Sequence, residues 1–115
     1  MPIENLLRTL LDEPGVTGAA LVDGVTGLVY GSVGRAPDAE ECSRFACLVG
    51  DRMHIAGGQG GLESIVITGT RHQVVLRAFS RRGDPLLLAA ALERGPANLA
   101  LITRRIDSWG AEVTG

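Results

Sequence analysis

Lysine is missing from this chain: all eleven basic side chains are arginine, set against thirteen acidic ones for a formal charge of −2. The two signs are interspersed, so there is no basic stripe for nucleic acid or an anionic membrane surface to grip. Aromatic residues make up only 3% of the chain, which removes the stacking platforms that single-stranded nucleic acid uses. No apolar run approaches the length of a membrane span, and the N-terminus lacks the basic-then-apolar pattern of a secretory signal. We therefore expect a cytoplasmic protein with no nucleic-acid partner and no membrane insertion. The arginine-only, glycine- and alanine-rich composition matches the codon usage of a G+C-rich bacterial genome.

Reactive side chains are equally scarce, with two cysteines and two histidines. Cys42 and Cys47 are expected on one helix and point in different directions, which disfavours a disulfide between them and implies no oxidising compartment. Cys47 points outward and is the more reactive thiol. A zinc site takes about four ligands at workable spacing; Cys47 and His54 share one side of a helix, but no second pair converges on them. Neither His54 nor His72 is placed beside Ser43, Ser64 or Cys47 as a base for covalent catalysis would be. Glu40 and Glu41 are consecutive helix residues and cannot flank a scissile bond as a carboxylate pair does. The glycine run 57–61 leaves a helix C-terminus and enters a strand, the reverse of a phosphate-binding loop. Arg81-Arg82 reads as a solvated turn. No catalytic, cofactor-binding or metal residue is expected, and no enzyme activity.

What the chain does contain is one domain's worth of helix and strand signals over residues 1–115. Ile3, Leu6, Leu7, Leu10 and Leu11 repeat as one buried stripe of a helix that Pro14-Gly15 ends. Strands are predicted over 16–22 and 28–30 around the turn 23–27, with loop from 31 to 37. A second hairpin pairs 62–68 with 73–80. The run 85–92 is apolar at nearly every position, a pattern that a buried helix shares, but its short length and the turn signals on both sides suit a central strand covered on both faces. Gly95-Pro96 starts a last helix faced by Leu99, Ile102, Ile106, Trp109 and Val113.

The helix over 38–56 organises the rest. Asp38-Ala39-Glu40-Glu41 is a capping box. At about 100 degrees per residue, Cys42, Phe45, Ala46, Val49, Met53 and Ala56 share a broad face expected to cover a sheet, while Leu48 and Ile55 sit to one side. A chain of this size has little left to cover that side stripe, so it is a candidate contact for another chain.

Order and spacing together resemble the Roadblock/LC7 family. The residues that carry the likeness are the Leu6-Leu7 helix, Pro14-Gly15-Val16-Thr17-Gly18 with Leu21-Val22-Asp23, and Gly27-Leu28-Val29. It continues through the Glu-rich start of the middle helix, Ile65-Val66-Ile67, the 73–79 strand, and Asn98-Leu99-Ala100-Leu101-Ile102-Thr103-Arg104. Val25-Thr26 departs from the family's tighter first turn. The resemblance implies an α/β (α+β) fold of three layers, similar to profilins and longins, in the order α-β-β-α-β-β-β-α. Its five-stranded antiparallel sheet would carry the central helix on one face and the terminal helices on the other. It also implies a homodimer joined through the 62–68 edge strand, where an unpaired Ile65-Val66-Ile67 edge would be an aggregation hazard.

Leu48, Ile55, Leu62, Ile65, Val66 and Ile67 are the expected interface, with Glu41, Arg44 and Arg52 as exposed partner-binding candidates. Family members resemble one another in lacking enzymatic activity and in serving as regulators of small Ras-like GTPases or as dynein light chains. The expectation is thus a non-enzymatic homodimeric adaptor for a small GTPase or other signalling proteins. The alternatives are a structural scaffold subunit of a signalling complex and a small-molecule sensor on a profilin-like sheet.

Overall fold

The computed structural model describes residues 3–55, 62–81 and 84–114, with 54, 55, 81 and 111–114 as backbone only. The element order is α1 (Ile3–Leu11), β1 (Val16–Asp23), β2 (Val29–Gly34), α2 (Ala39–Ile55), β3 (Ser64–Thr68), β4 (His72–Arg81), β5 (Asp84–Glu93) and α3 (Leu99–Thr114). This is the order the sequence predicts. The strands form one five-stranded antiparallel sheet in spatial order β2-β1-β5-β4-β3. The expected glycine connector 57–61, Ala56 and the Arg82-Gly83 turn lie outside the described residues.

The apolar run becomes the middle strand because both of its faces are needed. Leu86, Leu88, Ala90 and Leu92 of β5 join Leu6, Leu7 and Leu10 of α1 and Ile102, Ile106 and Trp109 of α3 in one core. Its alternate residues Leu87 and Ala89 point the other way, toward Ala46 and Cys42 of α2. A period-two side-chain alternation leaves no polar position on a strand covered by helices from both sides.

Two boundaries differ from expectation by three residues or more, and β3 starts at Ser64, two residues later than predicted. β2 continues through Gly34 where the sequence predicts a loop, because its small residues serve close approach: a Cβ on Gly31 would press on Ile3 and Leu7 of α1. Gly18 of β1 faces the Arg35 backbone with no room for any side chain. The last helix begins later than Pro96, since Asn98 is its cap, the Oδ1 accepting from the Leu101 amide at 3.1 Å. An Asn at that position satisfies a helix-end donor that Pro96 cannot reach.

The Val25-Thr26 turn is organised by Asp23. Its Oδ1 accepts from the Val25 amide at 2.8 Å and the Thr26 amide at 2.9 Å. Gly27, at φ +78, returns its amide to the Asp23 carbonyl at 3.1 Å. The Thr26 and Val25 amides hold the Asp23 carboxyl below the usual carboxylate range.

Candidate docking surface

The helix α2 is positioned by its N-terminal cap and by one carbonyl. Asp38 caps it, Oδ1 accepting from the Glu41 amide at 2.9 Å. One turn further, the buried Ser43 Oγ donates to the Gly24 carbonyl at 3.0 Å, and Cys47 Sγ donates to the same oxygen at 3.3 Å. Ser43 and Cys47 lie four residues apart and so share a face, which ties the helix to the β1–β2 turn. The sequence reading missed this role for Ser43. Its hydroxyl lies beyond the edge of the predicted apolar face, and nothing local identifies an acceptor 19 residues away.

Close approach makes α2's contact with the sheet narrow. Cys42, Ser43 and Ala46 are the buried residues of the described helix; Ala46 packs with Ala20, Val22 and Leu87, and Cys42 with Leu76 and Ala89. Phe45 and Met53, expected to face the sheet, are instead 39% and 45% exposed, beside Leu48 at 51%. Small residues bring the helix axis near the sheet only along their own line, so the bulkier members of the same apolar arc are lifted clear. The exposed apolar surface of α2 is therefore wider than the Leu48–Ile55 stripe, and the Ile55 side chain lies outside the described residues.

β3 is an edge strand, as expected. Its register opposite β4 pairs Ile65 with Leu76 and Ile67 with Val74, so Ile65 and Ile67 face α2 while Val66 faces the other side. Ile65 and Leu62 are half-buried and pack against the inner clusters. Val66 and Ile67 are exposed.

Between α2 and the outer strands runs a groove of about 480 Å³ lined by Pro37, Asp38, Glu41, Cys42, Arg44, Phe45, Leu48, Ile67, Val74 and Leu76. Of the expected interface residues it brings Leu48 and Ile67 together, and of the expected partner-binding residues it places Glu41 and Arg44 in its wall. Arg52 is exposed on α2 but does not line the groove. Leu62 belongs to a separate cavity of about 420 Å³, with Cys47, Ala46 and Val25 among its lining.

The groove's lining is mostly apolar. Burial pushes the Cys42 thiol up, and the nearby Asp38 and Glu41 carboxylates add to it, which is the opposite of an activated nucleophile. Among the described residues, no three His, Cys, Asp or Glu side chains gather as a metal site requires. His72 opens β4 and is exposed. No described helix is long and apolar enough to cross a membrane.

No family model and no curated protein matches the chain. Solved structures do. A Roadblock/LC7 domain from Streptomyces avermitilis superposes with a TM-score of 0.79 at 20% identity, over 98% of this chain and 95% of that one. Myxococcus xanthus MglB gives 0.82 at 16% identity, covering 97% and 91%. An MglB with tetrameric arrangement gives 0.74 at 19% identity, covering 96% and 85%. At such identities the likeness is one of fold, and the fold of this chain is that of the Roadblock/LC7 domains.

Proposed function

We propose that the chain is a non-enzymatic homodimeric adaptor of the Roadblock/LC7 family that binds a small Ras-like GTPase and modulates its nucleotide state or localisation. The observation that carries this reading is the unpartnered apolar surface made by Phe45, Leu48 and Met53 of α2 beside the free edge of β3 with Ile67. Joining two β3 edges would continue the sheet across both protomers and lay the two α2 helices side by side. That arrangement removes the open edge and covers large apolar side chains of the groove such as Leu48 and Ile67, each worth about 1.5–3 kcal/mol when fully buried. The exposed charged residues of the paired helices, Glu41 and Arg44 at the rim of the groove and Arg52 beyond it, then form the platform for the GTPase. The self-association of a protein with this fold, an MglB with tetrameric arrangement, is in keeping with it.

The test is capture from source-cell lysate on immobilised protein, with and without a nonhydrolysable GTP analogue. A Ras-like GTPase retained by the wild type in a nucleotide-dependent way, and released by Arg44→Glu, is the expected result. Nucleotide-independent retention of other proteins alone contradicts it and favours a scaffold subunit. The groove's volume falls within the range of small-molecule pockets, which is the observation favouring a sensor; a metabolite that raises the melting temperature would establish that reading instead.

A further inference from the structure

The geometry points to Arg77 as the positioning residue that holds the β3 edge ready for a second copy of this chain, an inference that rests on the dimer reading above. Arg77 lies on β4 opposite Ser64, the first residue of β3. Its Nη1 donates to the Glu63 carbonyl at 3.0 Å, and its Nη2 lies 3.2 Å from Glu63 Oε1. Its Nε donates to Asp107 Oδ1 of α3 at 2.8 Å. The same Glu63 carbonyl accepts from the Ala78 amide at 2.8 Å. One guanidinium thus joins the last helix, the strand beneath it and the residue from which β3 sets out.

This differs from an ordinary surface ion pair, which contributes little because both partners keep their water. The Arg77 side chain is 17% exposed, although Glu63 is 79% and Asp107 50% exposed. It is held further by the Phe79 ring, 5.5 Å from its Cζ, and one of its acceptors is a backbone oxygen. The planar fork reaches Asp107 and both Glu63 acceptors from three separate nitrogens, a span that the single nitrogen of an ammonium does not match.

β3 needs such a clamp. It is five residues long and has one neighbour in the sheet, while its other edge is the surface offered for pairing. The far end is tied separately, by Gln73 Nε2 to Thr68 Oγ1 at 3.0 Å and by Arg94 Nη1 to the Gly69 carbonyl at 3.1 Å. Releasing Arg77 therefore frees the start of the strand and leaves the turn end in place. A strand that must be ordered at the moment of association binds more weakly than one already in position. Because Asp107 lies on the exposed side of α3, the opposite face of the sheet from α2, the clamp also links that face to the dimer edge.

The experiment measures the dimer dissociation constant by sedimentation, and amide hydrogen exchange over 64–66 and 84–93, for the wild type, Arg77→Gln, Arg77→Lys and Asp107→Asn. We expect Arg77→Gln to raise the dissociation constant about tenfold, equivalent to ~1.4 kcal/mol, and to speed exchange over 64–66 while 84–93 is unchanged. Arg77→Lys should fail to restore either readout. Asp107→Asn, at a half-exposed position that does not endanger the fold, should shift both in the same direction by less. A dimeric wild type whose dissociation constant and 64–66 exchange are unmoved by the variants overturns the inference alone. So does exchange that rises equally over 84–93, which marks general destabilisation. A wild type that never dimerises overturns the dimer reading itself.

Discussion

The two faces of the sheet are built on different scales. On one, leucines and isoleucines of α1, α3, β1 and β5 close over each other around Leu10, Leu88, Leu92 and Ile106, each at most 1% exposed. On the other, Cys42 and Ala46 of α2 meet the sheet at Ala20 and Ala89, and the helix leaves its larger apolar side chains outside. The closed face supplies the stability of the protomer. The open face has traded bulk in the contact for an exposed surface, and that trade makes it the place where a partner would gain most.

Substitutions on the two faces should separate these roles. The largest effect on folding is expected from Ile106→Ala, which opens a cavity in the closed core and should cost about 2–5 kcal/mol in urea unfolding. Leu48→Glu should leave the circular dichroism of the fold intact while raising the dimer dissociation constant at least about tenfold, because a contact worth ~1.5–3 kcal/mol when buried is replaced by a charge. Ile65→Lys is the less clean test of the same surface, since Ile65 already packs against the inner clusters and a lysine there disturbs the protomer as well. If Ile106→Ala proved mild and Leu48→Glu unfolded the chain, the assignment of the two faces would be reversed.

Smaller effects sharpen the picture of how α2 is held. Ser43→Ala removes a buried donor to the Gly24 carbonyl and should lower stability by about 1 kcal/mol, read from the urea midpoint. The smallest effect is a pH dependence. The Asp23 carboxyl lies below its ordinary range when folded, so its contribution is present above the unfolded value and is lost as pH falls below about 4. The stability difference between wild type and Asp23→Ala should shrink on acidification through that window. A difference that grew would mean Asp23 does not organise the turn as its ionised form.

Much of this was legible in the chain. The α1 stripe, the Asp38 cap and the uninterrupted 86–92 run are local patterns, and each produced its element. The exposure of Phe45 and Met53 was not legible, because a helical wheel defines an apolar arc without saying which part of it the sheet occupies. That choice was made by small residues on β1 and β5, far away in sequence. The Ser43–Gly24 bond and the Arg77 clamp were hidden for the same reason: the clamp's acceptors lie 14 and 30 residues from the arginine. The true extent of β2 was masked by Gly31, Ser32 and Gly34, whose composition reads as loop until α1 is seen to lie against the two glycines.

The most direct measurement is the mass of the purified protein by light scattering from low to high micromolar concentration. A homodimer gives twice the 12.0 kDa chain mass, reverting toward one chain in Leu48→Glu. A wild type that stays at a single chain mass throughout, with β3 and the α2 groove unpaired, would contradict it.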